Sequence, residues 1–410
     1  MTLLDEIRSD LGRASTDALV PVLRHGQLPA IVEITDVSAL APGFAVAAVR
    51  LTDSREFFVP LVRDRHWRRA ESGDGASLAA LDAPAPIVVE RLNPLPVVTT
   101  GRERAVDVDM TNDVRVIADS VVAKWQFLRQ SGSLIGPRVV SHLWAAGFGD
   151  LPEPFATVCW NDDLLVSFAR FLPGAEDGWE WMLDDVGRML AGEAPAPSWP
   201  EVVGQLAARM HAAAVRPTRV IDRPVERRSL APFAHHYRAL LDSTLDDELR
   251  VAVERWCPRF IDACDTLTAA DDVEVIPIHG DLHPGQFLRW RDGIAICDFD
   301  GNPTLPAHLR TLRGPTAQDV AGILRGLDHV AIAAAHRTGE SAALGPAREW
   351  ARDARGRALS AYRREPGVPA LDESVLGALE TLSPLHEAVY ATTYLPRWRY
   401  VPLAVLDGDW

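Results

Sequence analysis

Residues 276–303, IPIHGDLHPGQFLRWRDGIAICDFDGNP, carry side chains that could hold a metal ion and accept a proton. Two apolar runs flank the Asp-Gly pair at 292–293, which is a strong short-range signal for a β-hairpin. With that pair as the loop, Gln286 is expected to lie beside Asp298. Asp281 lies just upstream, on the loop that enters the hairpin. The pattern therefore predicts two carboxylates and an amide carbonyl close to one point.

These groups suit phosphoryl transfer. Hard oxygen ligands favour Mg²⁺, which completes its coordination shell with water and phosphate oxygens. A nearby carboxylate can accept the proton of an attacking hydroxyl. The other requirement is a cation for the phosphates, and Lys124 is the only lysine in a chain whose other strongly basic residues are all arginines. Its compact ammonium differs from a guanidinium in a tight site. We assign Asp281 as the base and Gln286 and Asp298 as the metal ligands.

Two other interpretations of these residues compete with a phosphoryl-transfer site. His279, Asp281 and His283 alternate, so on a strand they would share a face and could form a transition-metal site of a hydrolase. No matching cluster of ligands accompanies them, and His279 is more consistent with a brace for the loop. The Asp-Phe-Asp run at 298–300 could instead be a strand end with solvated acids.

The elements that must position these residues change character along the chain. Residues 1–98 contain apolar, β-branched runs of strand length, separated by turn signals, and end in a Pro-rich stretch. Two further runs around residues 115–125 predict a tight hairpin that carries Lys124, with residues 119–120 as its loop. Beyond residue 176 apolar residues recur at helical spacing, as in the stripe from Val320 to Ala331. We predict three parts: 1–98, 99–175 and 176–410.

Composition narrows the function classes. Hydrophobic residues make up 47% of the 410 residues, and the net charge of −15 argues against a nucleic-acid binder. The four cysteines are scattered with no CxxC pair, which favours a reducing, cytoplasmic location. The first residues, MTLLDEIRSDLGR, do not have the basic and apolar regions of a signal peptide. No run of about 18 apolar residues occurs, so no membrane span is expected.

The spacing around the hairpin also follows a known pattern. Protein kinases have Asp-x4-Asn followed by Asp-Phe-Gly. Here Asp281-x4-Gln286 is followed by Asp298-Phe299-Asp300, and Gln keeps the carbonyl oxygen.

Residues 278–303 resemble the catalytic hairpin of the maltokinases, actinobacterial members of the aminoglycoside-phosphotransferase-like, protein-kinase-like fold. Further segments in the same order are similar to those of this family, and together they cover most of the chain. They are FLPGAEDGWEWMLDDV at 171–186, LAARMHAAA at 206–214, GPTAQDVAGILRGLDHVA at 314–331 and PLHEAVYATTYLPRWRYVPLAVL at 384–406.

The resemblance implies an α+β, bilobal fold with a β-rich N-terminal cap (1–98), a nucleotide-binding N-lobe (99–175) and a mostly helical C-lobe (176–410). It places ATP between the lobes. Its nucleotide-binding residues would be Lys124, Thr111 and Asn112 of the phosphate-covering loop, and the backbone of Phe168, Ala169 and Arg170 at the adenine. The helix after Lys124 carries no Glu to pair with that lysine, and His142 is a candidate substitute.

The acids around the expected sugar site differ from those typical of maltokinases, which carry Glu where this chain has Asp300. The chain is therefore more similar to the maltokinase-like glucosamine kinases of actinobacteria. This implies an enzyme that phosphorylates the 6-hydroxyl of glucosamine with ATP and Mg²⁺. We expect it to be a monomer. The substrate residues would be Asp300, His386, Glu387, Tyr390 and Trp398. Core packing is the alternative for Trp398, and metal binding is the alternative for Asp300.

Three other functions remain at this stage. Within the fold they are a maltokinase, which makes maltose 1-phosphate, and an aminoglycoside kinase. The third is a catalytically silent pseudokinase that acts as a binding module, against which the intact Asp281, Gln286 and Asp298 argue.

Overall fold

The computed structural model describes residues 2–12, 14–20, 30–96, 103–106, 113–129, 132–291, 293–339, 341–408 and 410. The chain divides into two compact units. The first comprises Met1–Pro137 and Pro152–Pro173, and the second comprises Arg138–Leu151 and Gly174–Trp410. The three-part division expected from the sequence stays a prediction.

The first unit contains two antiparallel sheets, because its sequence consists of short β-branched runs separated by turns. The four-stranded sheet has the order β1-β2-β3-β4. Its strands are β1 (Ile31–Ala41), β2 (Phe44–Leu51), β3 (Glu56–Arg63) and β4 (Trp67–Arg69). Three short helices accompany it: α1 (Leu3–Leu11), α2 (Thr16–Leu19) and α3 (Ala76–Ala80). The first three strands coincide closely with the runs that the sequence predicts as strands.

The six-stranded sheet has the order β5-β9-β10-β8-β7-β6. Its strands are β5 (Val88–Arg91), β6 (Glu103–Ala105), β7 (Asp113–Ile117), β8 (Val121–Trp125), β9 (Pro154–Trp160) and β10 (Asp163–Arg170). One apolar core includes buried residues of both sheets. The hairpin predicted around Lys124 is β7–β8, but Ile117 pairs with Val121, so its loop has three residues instead of two. Ala118 and Asp119 in that loop have positive φ angles of 48° and 46°.

The second unit is mostly helical. Helix α4 (Ile135–Ala145) crosses the boundary between the units: its first three residues belong to the first unit, and the rest, from Arg138, belong to the second. The other helices are α5 (Gly178–Leu190), α6 (Trp199–Ala214), α7 (Ala231–Leu240), α8 (Asp247–Ala269), α9 (Thr316–Thr338), α10 (Leu344–Arg364), α11 (Glu373–Thr393) and α12 (Tyr400–Leu406). No helix in the described parts of the chain is long and apolar enough to cross a membrane.

Two small sheets interrupt these helices. The first has the order β11-β12-β15, with β11 (Glu226–Arg228), β12 (Val273–Pro277) and β15 (Arg313–Gly314). The second is the hairpin of β13 (Phe287–Trp290) and β14 (Gly293–Ile296). A 3₁₀ turn at Pro284–Gln286 comes directly before β13.

Helix α9 lies in the core of the second unit. It is buried along almost its whole length, including the stripe that begins at Val320. A helix that is buried on most sides needs apolar or small side chains on all of those sides, not on one face alone. The alanines and glycines of its sequence meet that need and let neighbouring segments approach closely.

Candidate active site

The catalytic hairpin forms, but with a different register from the predicted one. Trp290 pairs with Gly293 and Phe287 pairs with Ile296. Gly293 therefore belongs to a strand and not to the predicted loop at 292–293, and Arg291 adopts a positive φ of 52°. The Cys297 amide donates to the carbonyl of Gln286 at 3.0 Å, so Gln286 lies opposite Cys297. The shift still leaves Gln286 one residue from the position opposite Asp298.

A buried carboxylate of α9 holds the loop that enters the hairpin. Asp319 is fully buried and accepts hydrogen bonds from the amides of His279 and Gly280, both at 2.8 Å. The His279 ring spans the other side, with its Nε2 2.8 Å from the carbonyl oxygen of Cys297. His279 is thus a brace between the loop and the hairpin. The contacts end at Gly280 and Cys297, the neighbours of Asp281 and Asp298.

Asp319 is itself held in place by a histidine of α6. Its Oδ2 lies 3.0 Å from Nε2 of His211, whose Nδ1 lies 2.7 Å from the hydroxyl of Tyr362 on α10. Burial acts to raise the pKa of Asp319, but the hydrogen bond and charge of His211, with the charge of His279 and the Gly280 amide, lower that pKa below its ordinary value. The carboxylate is therefore a stable anion in the interior.

Three glycines let helices α5 and α9 pack directly on the catalytic loop. A Cβ on Gly178 would lie 2.0 Å from the carbonyl oxygen of Pro284. A Cβ on Gly322 would lie 2.6 Å from the carbonyl oxygen of Leu282, and one on Gly326 would lie 2.3 Å from the Pro284 ring. Real Cβ atoms do not come this close to other heavy atoms, so each position requires glycine or a displaced loop.

Asp281 has the environment of a proton acceptor. Its side chain keeps 23% of its surface exposed, and its Oδ2 lies 3.8 Å from Nε2 of His283. Burial raises the pKa of Asp281 above its ordinary value, and the nearby Asp298 carboxylate adds to this rise, while His283 and His279 oppose it. A higher pKa makes an ionised carboxylate a stronger base.

Gln286 and Asp298 are positioned by unusual backbone. Gln286 ends the 3₁₀ turn and is buried, whereas Asp298 is exposed and has a left-handed φ of 62°. Non-glycine residues hold this conformation at some energetic cost, and such strain is concentrated at functional sites. In the described parts of the chain no three His, Cys, Asp or Glu side chains form a metal cluster. A site of one carboxylate and one amide oxygen fits Mg²⁺, which takes most of its remaining ligands from water and phosphate.

One of the residues predicted at the sugar is His386 on α11. Nε2 of His386 lies 2.7 Å from Oγ1 of Thr304, which also donates to Asn302 at 2.6 Å. Burial lowers the pKa of His386, and the Asp281 carboxylate is one of the charges that oppose this change. Asp300 is half-buried, and its charge acts on Arg310, whose pKa burial lowers. His386 and Asp281 therefore share one electrostatic environment.

Glu387 lies in a buried ion network. Its carboxylate is 3.1 Å from Nη2 of Arg325 and 2.9 Å from Nε2 of His329, both on α9. Burial acts to raise the pKa of Glu387, but Arg325 and His329 lower it far below the ordinary range. Arg325 also pairs with Asp328 at 2.9 Å. The charge of Glu387 is thus already compensated by the protein, which the sequence did not predict.

Trp398 joins this network to an aromatic cluster. Its ring centroid lies 5.1 Å from that of Trp179 and 6.0 Å from that of His329, in edge-on geometry. Trp398 is half-buried, so it is packed on one side and keeps accessible surface. Tyr390, one turn after Glu387 on α11, packs on Tyr394 at 5.6 Å. Both core packing and sugar stacking remain compatible with Trp398.

Lys124 lies in the first unit, on β8, opposite Val114 of β7 and Ser167 of β10. The next residue, Trp125, is fully buried, and its Nε1 donates to Oγ of Ser77 at 2.9 Å. This anchor fixes the strand that carries the lysine.

The other predicted nucleotide residues have mixed outcomes. Phe168, Ala169 and Arg170 lie on β10 and pair with β8, and the first two also pair with β9. The Arg170 amide donates to the Glu153 carbonyl at 2.8 Å. This pairing occupies backbone groups that the prediction assigned to adenine, so those contacts stay a prediction. Thr111 and Asn112 lie outside the described residues.

His142 does not act as expected. Its two ring nitrogens lie 2.8 Å from Oγ1 of Thr218 and 2.8 Å from the carbonyl of Ala214, within the second unit. With both nitrogens engaged, the ring has no remaining group for a partnership with Lys124, and that suggestion was wrong.

Comparison with known proteins identifies the family. The glucosamine kinase of Streptacidiphilus jiangxiensis is 34% identical to this chain, and the alignment covers 96% of each protein. The glucosamine kinase of Mycolicibacterium smegmatis is also 34% identical, over 87% of this chain and 94% of that protein. This chain belongs to the glucosamine kinase family. No family model matches it.

Solved structures of the glucosamine kinase family agree with this assignment. One, in complex with glucosamine, ADP and inorganic phosphate, has a TM-score of 0.80 at 30% identity and covers 99% of both chains. Another, crystal form B of a glucosamine kinase, has a TM-score of 0.81 at 31% identity, over 97% of this chain and 98% of that one. The resemblance inferred from the motifs is confirmed, as is the α+β kinase fold class with strands first and helices after.

Sequence reasoning missed Asp319, Arg325 and His329. Asp319 stands in the first turn of α9, where an acid is expected simply for its favourable interaction with the helix dipole. Arg325 gives a clearer signal, because it lies in an otherwise apolar helix sequence and arginines are rarely buried unless they are paired. His329 lies four residues later on the same helix.

Proposed function

We propose that this chain transfers the terminal phosphoryl group of ATP to the 6-hydroxyl of glucosamine, giving glucosamine 6-phosphate and ADP. The observation that carries the proposal is the loop of Asp281 and Gln286, which Asp319 and His279 hold against the strand that leads to Asp298, in a chain 34% identical to two glucosamine kinases. The solved relative that contains glucosamine, ADP and phosphate supports the same substrates.

In the proposed reaction, the O6 oxygen of the sugar forms a bond to the γ-phosphorus while the bond from that phosphorus to the β,γ-bridging oxygen breaks. The proton of the 6-hydroxyl passes to Asp281, whose pKa burial has raised. The carboxylate needs only to be ionised and within reach of the hydroxyl. Positioning and charge neutralisation supply most of the catalysis in reactions of this class.

Gln286 and Asp298 would hold Mg²⁺ through an amide oxygen and a carboxylate. The ion, when bound, neutralises charge that develops on the phosphates. The resemblance to kinases assigns Lys124 to the phosphates as well. Without these cations the net charge of −15 would oppose the binding of a triphosphate.

The amino sugar is partly cationic near neutral pH, and we propose Asp300 as the carboxylate that binds its 2-amino group. Glu387 is already paired with Arg325 and His329, so its charge supports the position of α11 and of the aromatic cluster at Trp398. His386, on which the charge of Asp281 acts, would contact a sugar hydroxyl. We also propose that the enzyme works as a monomer in the cytoplasm.

The proposal is tested by an assay of ADP release with ATP and Mg²⁺ and a panel of acceptors: glucosamine, glucose, maltose and an aminoglycoside. We expect the highest kcat/KM for glucosamine, and phosphorus NMR of the product should show a phosphate ester at carbon 6. Higher kcat/KM for maltose or the aminoglycoside would replace the proposed substrate. Binding of ATP without turnover of any acceptor would favour a binding module.

A further inference from the structure

His283 lies between the base and a metal ligand. Its Nε2 is 3.8 Å from Oδ2 of Asp281 and 3.1 Å from the side-chain nitrogen of Gln286. The ring also caps the 3₁₀ turn that positions Gln286, because its Nδ1 accepts the amide N–H of Gly285 at 3.2 Å. The side chain is 47% exposed, so apolar packing does not explain its position.

The contact with Gly285 determines which ring nitrogen carries the proton. A nitrogen that accepts a hydrogen bond from a backbone N–H has no proton of its own. The proton of the neutral ring is therefore on Nε2, the nitrogen that faces Gln286. The distance of 3.8 Å to Asp281 is too long for a hydrogen bond, whereas the Gln286 amide lies within hydrogen-bond distance of Nε2 at 3.1 Å.

An Nε2–H of His283 and an amide NH₂ of Gln286 cannot bond to each other, because both are donors. The oxygen and nitrogen of an amide exchange places on rotation by 180°, and the hydrogen-bonding partners decide between the two orientations. The consistent arrangement places the Gln286 oxygen toward His283. After this rotation the amide nitrogen takes the position 3.9 Å from Sγ of Cys297 that the oxygen occupied before. A sulfur atom can accept an N–H there, although weakly.

We infer that His283 is a positioning residue that donates Nε2–H to the Gln286 side-chain oxygen and so fixes that oxygen as a metal ligand. A carbonyl oxygen has two lone pairs, and this bond uses one and leaves the other for Mg²⁺. Partners that orient metal ligands commonly change metal affinity by about 10- to 100-fold when removed. The inference rests on the proposed function, because it assumes that Gln286 binds the metal.

Two variants separate this role from the cap of the turn. His283→Asn keeps an oxygen that can accept the Gly285 amide, since Asn is a favoured N-cap residue, but it is too short to donate to Gln286. His283→Gln places an amide N–H near the original Nε2 position but is a poor cap. A purely structural role predicts that the Asn variant behaves normally and the Gln variant is impaired. The positioning role predicts the reverse.

The measurement is ADP affinity by titration calorimetry on the full chain, with and without Mg²⁺. We expect His283→Asn to reduce the Mg²⁺-dependent gain in affinity about tenfold or more, with the Mg²⁺-free affinity unchanged. His283→Gln should keep that gain within about threefold, at a slightly lower Tm.

The inference is wrong if the two variants behave alike, or if His283→Gln is impaired and His283→Asn is normal. Either result leaves the proposed function standing as long as the wild-type protein is active. A wild-type protein whose ADP affinity does not respond to Mg²⁺, or that fails to phosphorylate glucosamine, overturns the proposed function as well.

Discussion

Gly178 and Pro284 are in direct backbone contact: a Cβ on the glycine would lie 2.0 Å from the proline carbonyl oxygen. This contact seats the first turn of α5 against the loop that carries the assigned base and metal ligand. The packing of α5 therefore fixes the position of the catalytic loop.

The contact makes Gly178→Ala a sensitive substitution. The added methyl must displace the loop, so we expect a loss of about 2–3 kcal/mol of unfolding free energy and a lower kcat. Gly187→Ala in the same helix is the matched control, because no atom lies within 4 Å of its Cβ. It should stabilise the protein by about 0.5–1 kcal/mol and leave kcat unchanged. Urea unfolding and steady-state kinetics test both, and a normal kcat in Gly178→Ala would contradict the expected coupling.

Asp281 and Asp298 should differ in what their removal changes. Asp281→Asn removes the proton acceptor, so we expect turnover to be almost abolished and the affinity for Mg²⁺–ADP to stay close to that of the wild type. Asp298→Asn should weaken that affinity too, and Asn tolerates the left-handed backbone observed here. The measurements are kcat and nucleotide affinity by calorimetry. An identical loss of nucleotide affinity in both variants would refute the division into base and ligand.

Asp300 and Glu387 provide a second pair of contrasting variants. A hydrogen bond from the 2-amino group to a carboxylate is worth about 1.5–3 kcal/mol, so Asp300→Asn should reduce the glucosamine-to-glucose ratio of kcat/KM by about 10- to 100-fold. Glu387→Gln breaks a buried ion pair, so we expect a stability loss of about 3 kcal/mol and equal losses of kcat/KM for both sugars. A ratio changed only by Glu387→Gln would exchange these roles.

The pH profile should reflect Asp281. A base must be ionised, and burial raises the pKa of Asp281, so kcat/KM should fall on acidification at a pH above the ordinary aspartate value. Asp319 and Glu387 have lowered pKa values, so their contribution to stability is complete at neutral pH and is lost only as the pH falls through those values. Circular dichroism across the same range controls for unfolding. An acid limb at or below the ordinary aspartate pKa would contradict the assignment.

Lys124 provides a prediction for the first unit. Lys124→Arg should lower kcat/KM about tenfold or more, about 1.4 kcal/mol, because a planar fork does not replace a point charge in a tight site. Lys124 is the penultimate residue of β8, and its backbone pairs with strands on both sides whichever side chain it carries, so the Tm should change little. Kinetics near those of the wild type would remove the lysine from the nucleotide site.

The catalytic hairpin shows how far the sequence can lead. Its apolar runs and turn residues predicted two strands, and the motif spacing predicted which side chains meet. The predicted register is wrong because the Asp-Gly signal predicts a loop at 292–293, whereas Gly293 pairs with Trp290 and Arg291 has the positive φ. Local turn preferences are weak compared with the packing of both strands, and that packing is not visible in a short segment.

The start of α6 gives a similar lesson. Ser198 and Glu201 have the spacing of a capping box, and the helix does begin there, yet the Ser198 side chain makes no capping bond. Glu201 instead pairs with Arg357 on α10. A partner 156 positions away cannot be inferred from spacing, and the same limit concealed the role of Asp319, which acts on residues 39 and 40 positions earlier.

The chain of contacts from Tyr362 through His211 to Asp319 has a consequence for biosynthesis. The ribosome makes the catalytic loop long before α10, so a nascent chain that ends after the hairpin has the reactive side chains without their brace. Contacts of such high sequence separation form late and slowly. Catalytic competence should therefore appear only after α9 has been synthesised and docked, and a ribosome-bound chain halted before Asp319 should have a loose, unproductive loop.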